Sequence, residues 1–175
     1  MKKLALSVAV LALAGAPAAA QTAAATVTAS AVVQASITAA TTHQLKFGTL
    51  AMGASSTLAS SGGSQAALSG LTTAGLGQVQ VGHNSNVGVT ATVPAVLTNA
   101  GTGLTLGFAA TCATASTSGG TGTAVADCTS FSFNAAAPGT VQSTYVLVGG
   151  TVTGDAASGI GTFTGDIDFT FTATN

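Results

Sequence analysis

Cys112 and Cys128 are the only two cysteines in this chain of 175 residues, and they carry its most definite chemistry. Between them runs ATASTSGGTGTAVAD, small and flexible throughout. An even number of cysteines in an exported chain reads as a disulfide. Closing a loop of this size stabilises a fold by roughly 3 kcal/mol in the chain-entropy description. A thiolate metal or redox site would want a CxxC spacing or a nearby histidine, and neither is present. His43 and His83 sit in turn-like contexts far apart in the sequence, and they read as surface turn residues. No GxSxG elbow, HExxH or GxxxxGK[ST] accompanies them. Asp155, Asp166 and Asp168 offer oxygens to a hard cation, but their spacing fits no EF-hand loop. GDIDF alternates as an ordinary strand, which puts its aspartates on a solvated face. Glutamate and arginine are absent altogether, so acid–base machinery is scarce. The glycines of GIGTFTG read as turn and strand backbone rather than as a phosphate cradle. An enzyme is therefore the least supported class, and no cofactor or metal is expected.

The ends and the composition frame these residues. Lys2 and Lys3, the apolar run LALSVAVLALA and the small residues of APAAA have the layout of a bacterial secretory signal, cleaved between Ala20 and Gln21. The run is too short for a membrane helix, and no later segment is long and apolar enough for one. Residues 21–175 then form one domain, long enough to bury a real core. The expected location is the periplasm, the cell surface or the medium. Past the signal, Lys46 is the only basic residue beside Asp127, Asp155, Asp166 and Asp168. Such a chain has no basic face for nucleic acid or for an anionic membrane surface. Hydrophobic residues make up 47% of the sequence and mean hydropathy is +0.60, which argues for a packed rather than a disordered chain. A surface of Thr, Ser, Asn and Gln sets up little charge repulsion between copies, which favours self-association.

A two-residue rhythm sets the elements. ATVTASAVVQASITA, Ala25 to Ala39, places Ala25, Val27, Ala29, Ala31 and Val33 on one face, with Ala35, Ile37 and Ala39 continuing it. At ~3.3 Å per residue this segment would reach roughly 50 Å, well beyond the ~17–20 Å of a typical strand. Either it bends at Val32–Val33 into two strands of its own domain, or its first part is donated to a neighbouring copy. In HQLKFGTLAMG, Leu45 and Phe47 point one way before Gly48 breaks the run. GQVQVG and VGVTATV, joined by HNSN, read as a hairpin. LTLGFAATC aligns Phe108 with Cys112, SFSFN pairs Phe131 with Phe133, and STYVLVGGTVTG is apolar enough for a central strand. In GTFTGDIDFTFTAT, Phe163, Ile167, Phe169 and Phe171 share the apolar face. These large residues are the expected core anchors. No segment past the signal shows a capped helical period, so the fold class is all-β, a sandwich or barrel of antiparallel strands.

Three stretches, QLKFGTLAMG, GQVQVGHNSNVGVTATVP and YVLVGGTVTG…GTFTGDIDFTFTAT, resemble a bacterial family of small exported domains of unknown function. That family is similar to spore coat protein U-like and chaperone–usher pilin sandwiches, and the resemblance covers Ala25 to Asn175. It implies an immunoglobulin-like β-sandwich in a coat or fimbria-like structure, with no catalytic residues. It also implies related surface subunits or a periplasmic chaperone as partners. Pilins of this kind often carry an aromatic close to the C-terminus; here the last one is Phe171. The expected function is a structural subunit of a cell-surface filament, fimbria-like appendage or coat, assembling through its N-terminal strand. The alternative is a monomeric secreted or surface adhesin, for which few rings are available to stack on sugars, since Tyr145 is the only tyrosine and tryptophan is absent. An outer-membrane β-barrel is the third reading. It wants aromatic girdles and uniformly long strands, which this sequence does not supply consistently.

Overall fold

The computed structural model describes residues 34–62, 74–137, 139–154, 157 and 159–174. The expected secretory signal, the expected Ala20–Gln21 cleavage site and the segment Ala25–Val33 lie outside the described residues, as does Asp155. Ten strands occur in the described residues: β1 (Ile37–His43), β2 (Ser56–Leu58), β3 (Gly77–His83), β4 (Asn86–Thr92), β5 (Val96–Thr98), β6 (Thr105–Ala115), β7 (Thr123–Ala124), β8 (Ser130–Phe133), β9 (Gln142–Thr153) and β10 (Asp168–Thr174). No α-helix accompanies them among the described residues.

The strands form two sheets packed as a β-sandwich. The larger runs β1-β3-β9-β6-β5, with β2 also on β9 and β7 also on β6; the smaller runs β10-β4-β8. Every pairing is antiparallel. As its continuous apolar run predicts, β9 is central. It pairs with β6 along one edge and with β3 and then β2 along the other. Two glycines permit this crowding. A Cβ on Gly149 would strike the carbonyl oxygen of Leu58 on β2, and one on Gly150 would strike that of Ala109 on β6.

The core lies where the alternating faces meet. Val81 of β3, Val87 and Val89 of β4, and Val146 and Val148 of β9 are buried together with Phe133. Each such side chain withdrawn from water contributes on the order of 1.5–3 kcal/mol. Cys112 on β6 and Cys128 just before β8 join this core as a disulfide, the pairing expected from the sequence. The bond ties the two sheets together.

The expected hairpin is not one. β3 belongs to the larger sheet and β4 to the smaller, so Asn84–Ser85 is an arch between layers. The valines explain this. Val79 and Val81 face Val87 and Val89 across the interior, whereas in a single sheet they would lie side by side and leave the opposite layer uncovered. His83, read from the sequence as a surface turn residue, is consequently the last residue of β3 and only 1% exposed. The long alternating segment also divides differently from its sequence limits. Gln34–Ser36 precede the strand, and β1 extends past Ala39 through Thr41 and Thr42 to His43.

Candidate functional site

β1 pairs only with β3, and β10 only with β4, among the described residues. Each is therefore an edge strand among the described residues, with one side of its backbone N–H and C=O groups unpaired by them. An antiparallel strand satisfies both edges only when it is flanked on both sides. Part of each strand, Ala39–His43 of β1 and Asp168–Phe171 of β10, borders one cleft of about 1130 Å³. Its first wall is β1 and the segment that follows it to Ala54; its second is Gly159–Phe163 and onward into β10. Val79, Phe108, Val148 and Val152 form the floor.

Seven of the expected core anchors line this cleft: Leu45, Phe47, Phe108, Phe163, Ile167, Phe169 and Phe171. Only Phe108 is fully buried; the rest are half-buried. Leu45, Phe47, Phe163 and Ile167 lie outside the strands, in the stretches that extend β1 and lead into β10. The remaining two, Phe131 and Phe133, lie on β8, the other edge strand of the smaller sheet, with Phe133 in the core and Phe131 packed against it. The ring of Phe47 meets Phe108 edge-on, with centroids 5.9 Å apart. Phe169 and Phe171, two residues apart on one face of β10, stack at 6.0 Å. Met52 and Ile160 also line the cleft and are 61% and 83% exposed. Asp166, Asp168 and Lys46 line it as well, and the two aspartates are exposed, as their alternation predicts. Lys46 is held in place by its backbone, which exchanges hydrogen bonds with Gly75 at 2.8 and 2.7 Å.

The lining mixes apolar side chains with polar ones, and a concave surface of this kind beside strand edges is a candidate place of contact. Its chemistry is that of a sheet edge: two rows of backbone donors and acceptors, with apolar sockets between them. Among the described residues no group of three His, Cys, Asp or Glu comes together.

Two side chains at the arch end carry roles the sequence did not suggest. His83 is locked between layers. Its Nδ1 donates to the Ser85 carbonyl at 2.7 Å, and its Nε2 lies 2.9 Å from the Thr144 hydroxyl. A carbonyl only accepts, so Nδ1 carries a proton, and Nε2 shares its hydrogen bond with the Thr144 hydroxyl. The edge of Phe133 closes the pocket at 5.1 Å. Asn84 binds the chain that leads into β1. Its Oδ1 accepts from the Ser36 N–H at 2.8 Å, and its Nδ2 donates to the Gln34 carbonyl at 3.4 Å. The sequence signal for both was only turn composition. Gln78, which also lines the cleft, is buried and gathers Thr42, Ser118 and the Gly119 N–H around its amide. Asp127, fully exposed, accepts from the Thr129 N–H and hydroxyl, each at 2.8 Å, and these bonds hold its carboxyl below the ordinary range.

Neither a protein-family model, nor a curated protein, nor a solved structure matches this chain. No helix among the described residues is long and apolar enough to cross a membrane.

Proposed function

We propose that this protein is a structural subunit of a bacterial cell-surface filament, fimbria-like appendage or coat, in which Ala25–Val33 of one copy fills the cleft of the next. The observation that carries this reading is the cleft itself: a trough, apolar in part, bordered by two strands that are edge strands among the described residues. An added strand would continue the smaller sheet beyond β10 through backbone hydrogen bonds, and its alternate side chains would enter the sockets. Ala25, Val27, Ala29, Ala31 and Val33 are small and apolar, which suits a trough already walled with phenylalanine. Nine extended residues reach about 30 Å, enough to run the length of β10 and beyond.

The ends of the strands fix the polarity of such an assembly. β1 begins opposite His83, and β10 finishes opposite Asn86. The donor segment thus leaves the body at the arch end, where β10 also stops. A donor antiparallel to β10 enters the acceptor at its arch end and exits at the opposite end. The two bodies then sit head to tail, a repeat that does not close and so gives a fibre. The near absence of charge removes a barrier to this contact.

Size-exclusion chromatography and electron microscopy of the exported protein, with and without residues 21–33, test the proposal. The expected result is large, elongated particles from the complete chain and monomers from the shortened one. Monomers from both would overturn it.

A further inference from the structure

We infer that copies of this chain also meet body to body, one end against the other: Val141 at the arch end of one copy seats against Met52 and Ile160 at the far end of the next. The contact rests on the strand-donation reading above and adds to it a surface made only of described residues.

Among the described residues five large hydrophobic side chains are exposed: Met52, Val96, Leu104, Val141 and Ile160. Four of them gather at the end of the body away from the β3–β4 arch. Val96 pairs with Gly107 near the start of β6, and Leu104 immediately precedes that strand. β6 runs from there toward the arch, since Gly107 pairs with Thr153 at the end of β9 and Ala115 with Tyr145 near its start. A Cβ on Gly159 would touch the Leu104 side chain, which places the adjoining Ile160 at the same end. Met52 stands two residues before Ala54, whose carbonyl oxygen lies against Gly154, just past β9. Met52 and Ile160 line one cleft. The fifth side chain, Val141, is alone at the other end. It immediately precedes Gln142, which pairs with His83 on the last rung before the arch.

The loop that carries Val141 is pinned. The Ala135 N–H donates to Asn86 Oδ1 at 3.0 Å, the Ala136 N–H to Gln142 Oε1 at 3.1 Å, and the Gly139 N–H to the Asn84 carbonyl at 2.8 Å. Val141 is therefore presented on an ordered backbone, which leaves less conformational freedom to lose on contact. Its exposed loop neighbours Ala136 and Ala137 are short, so the valine projects. Segments 34–36, 84–86 and 134–142 contain no charged residue, so no ionised group there must shed water when this end is covered. At the far end, the unbranched Met52 can adapt its shape to an incoming side chain.

Two unlike ends of one body make a heterologous contact, which repeats without closing. Its polarity agrees with strand donation. β1 begins opposite His83, so the chain enters the body at the Val141 end. β10 starts opposite Thr92, away from the arch, and that is the end of the acceptor where the donor body comes to rest. Contact between two far ends would leave Val141 in water, and contact between two arch ends would leave the larger patch uncovered.

The test uses the complete exported chain and measures the monomer concentration that remains once assembly has reached equilibrium. V141K and I160D are each expected to raise it by roughly tenfold, because each sets an unpaired charge against an apolar partner. The double variant V141K/I160D places a lysine opposite an aspartate at every junction, and its remaining monomer should return to within about twofold of the parent. Both side chains are exposed, so the urea midpoints of the monomers should match the parent's and exclude misfolding as the cause. An unmoved monomer concentration in the single variants would overturn the inference. So would a double variant that fails to recover, since contact between like ends sets lysine against lysine and aspartate against aspartate. In both outcomes large particles still form and the strand-donation reading stands. A parent chain that stays monomeric would overturn that reading, and this inference with it.

Discussion

His83 shows how far a single residue's role depends on its layer. In the sequence it opens HNSN, a stretch with every mark of an exposed turn. The turn exists, but it is an arch between sheets, and the ring sits at the interior side of that arch. Turn chemistry is local and legible; which layer the flanking strands join is not, because it is decided by valines meeting across the core. His83→Ala would leave the Thr144 hydroxyl and the Ser85 carbonyl without their buried partner and open a cavity beside Phe133. We expect a loss of about 2–4 kcal/mol in urea unfolding, against about 1 kcal/mol for Thr144→Val, which removes one hydrogen bond. Asp127 makes a smaller, pH-dependent contribution. Its carboxyl is held below the ordinary value of 3.8 by the Thr129 N–H and hydroxyl. A depressed carboxyl adds stability that is fully present above the unfolded value and fades as the pH falls through the lower, folded one. The acid limb of the stability curve should therefore be flatter in Asp127→Asn than in the parent, as read by thermal melts from neutral pH down to about pH 3.

Among the elements, the alternating runs announced most of the strands, and the glycine-rich breaks announced most of their ends. β9 was legible as central because its run is apolar on both faces. What alternation cannot supply is the partner of each strand, and so the β3–β4 connection was misread. Leu45, Phe47, Phe163 and Ile167 were legible as inward-facing, but not as residues of strand-flanking segments. The disulfide was legible from cysteine count and export alone. Its mechanical role was not, because that needs β6 and β8 on opposite layers. Replacing both Cys112 and Cys128 with serine should lower stability by roughly 3 kcal/mol. The parent treated with reductant should shift to the same urea midpoint as the double variant. A parent midpoint that reductant leaves unmoved would show that the bond is not what ties the sheets.

For the whole molecule, the decisive feature is the trough left between β1 and β10. The sequence pointed to its lining side chains as core, and Phe108 is buried while Leu45, Ile167, Phe169 and Phe171 pack against the core; hydrophobic periodicity marks an inward face without saying how completely it is covered. A cover supplied by another copy has the same periodicity as one supplied by the chain itself. Ala39 offers a way to block the trough without removing packing, since it is exposed on β1 and borders the opening. Ala39→Trp should fold normally but be unable to accept a strand, while still able to give one. Mixed with the parent at a few per cent, it is expected to shorten filaments in electron micrographs steadily with its mole fraction. Filaments of unaltered length would show that the trough is not where copies join.

Lys46 turns this geometry into a gauge. It is the only lysine after Lys3, and it lines the trough half-buried. An amine-selective dye therefore has a single side-chain target in residues 21–175, beside the place where the proposed assembly would seat an incoming strand. Its uptake at that position, followed over time in a mass spectrometer, would slow as seats fill, giving a direct count of vacant places during growth.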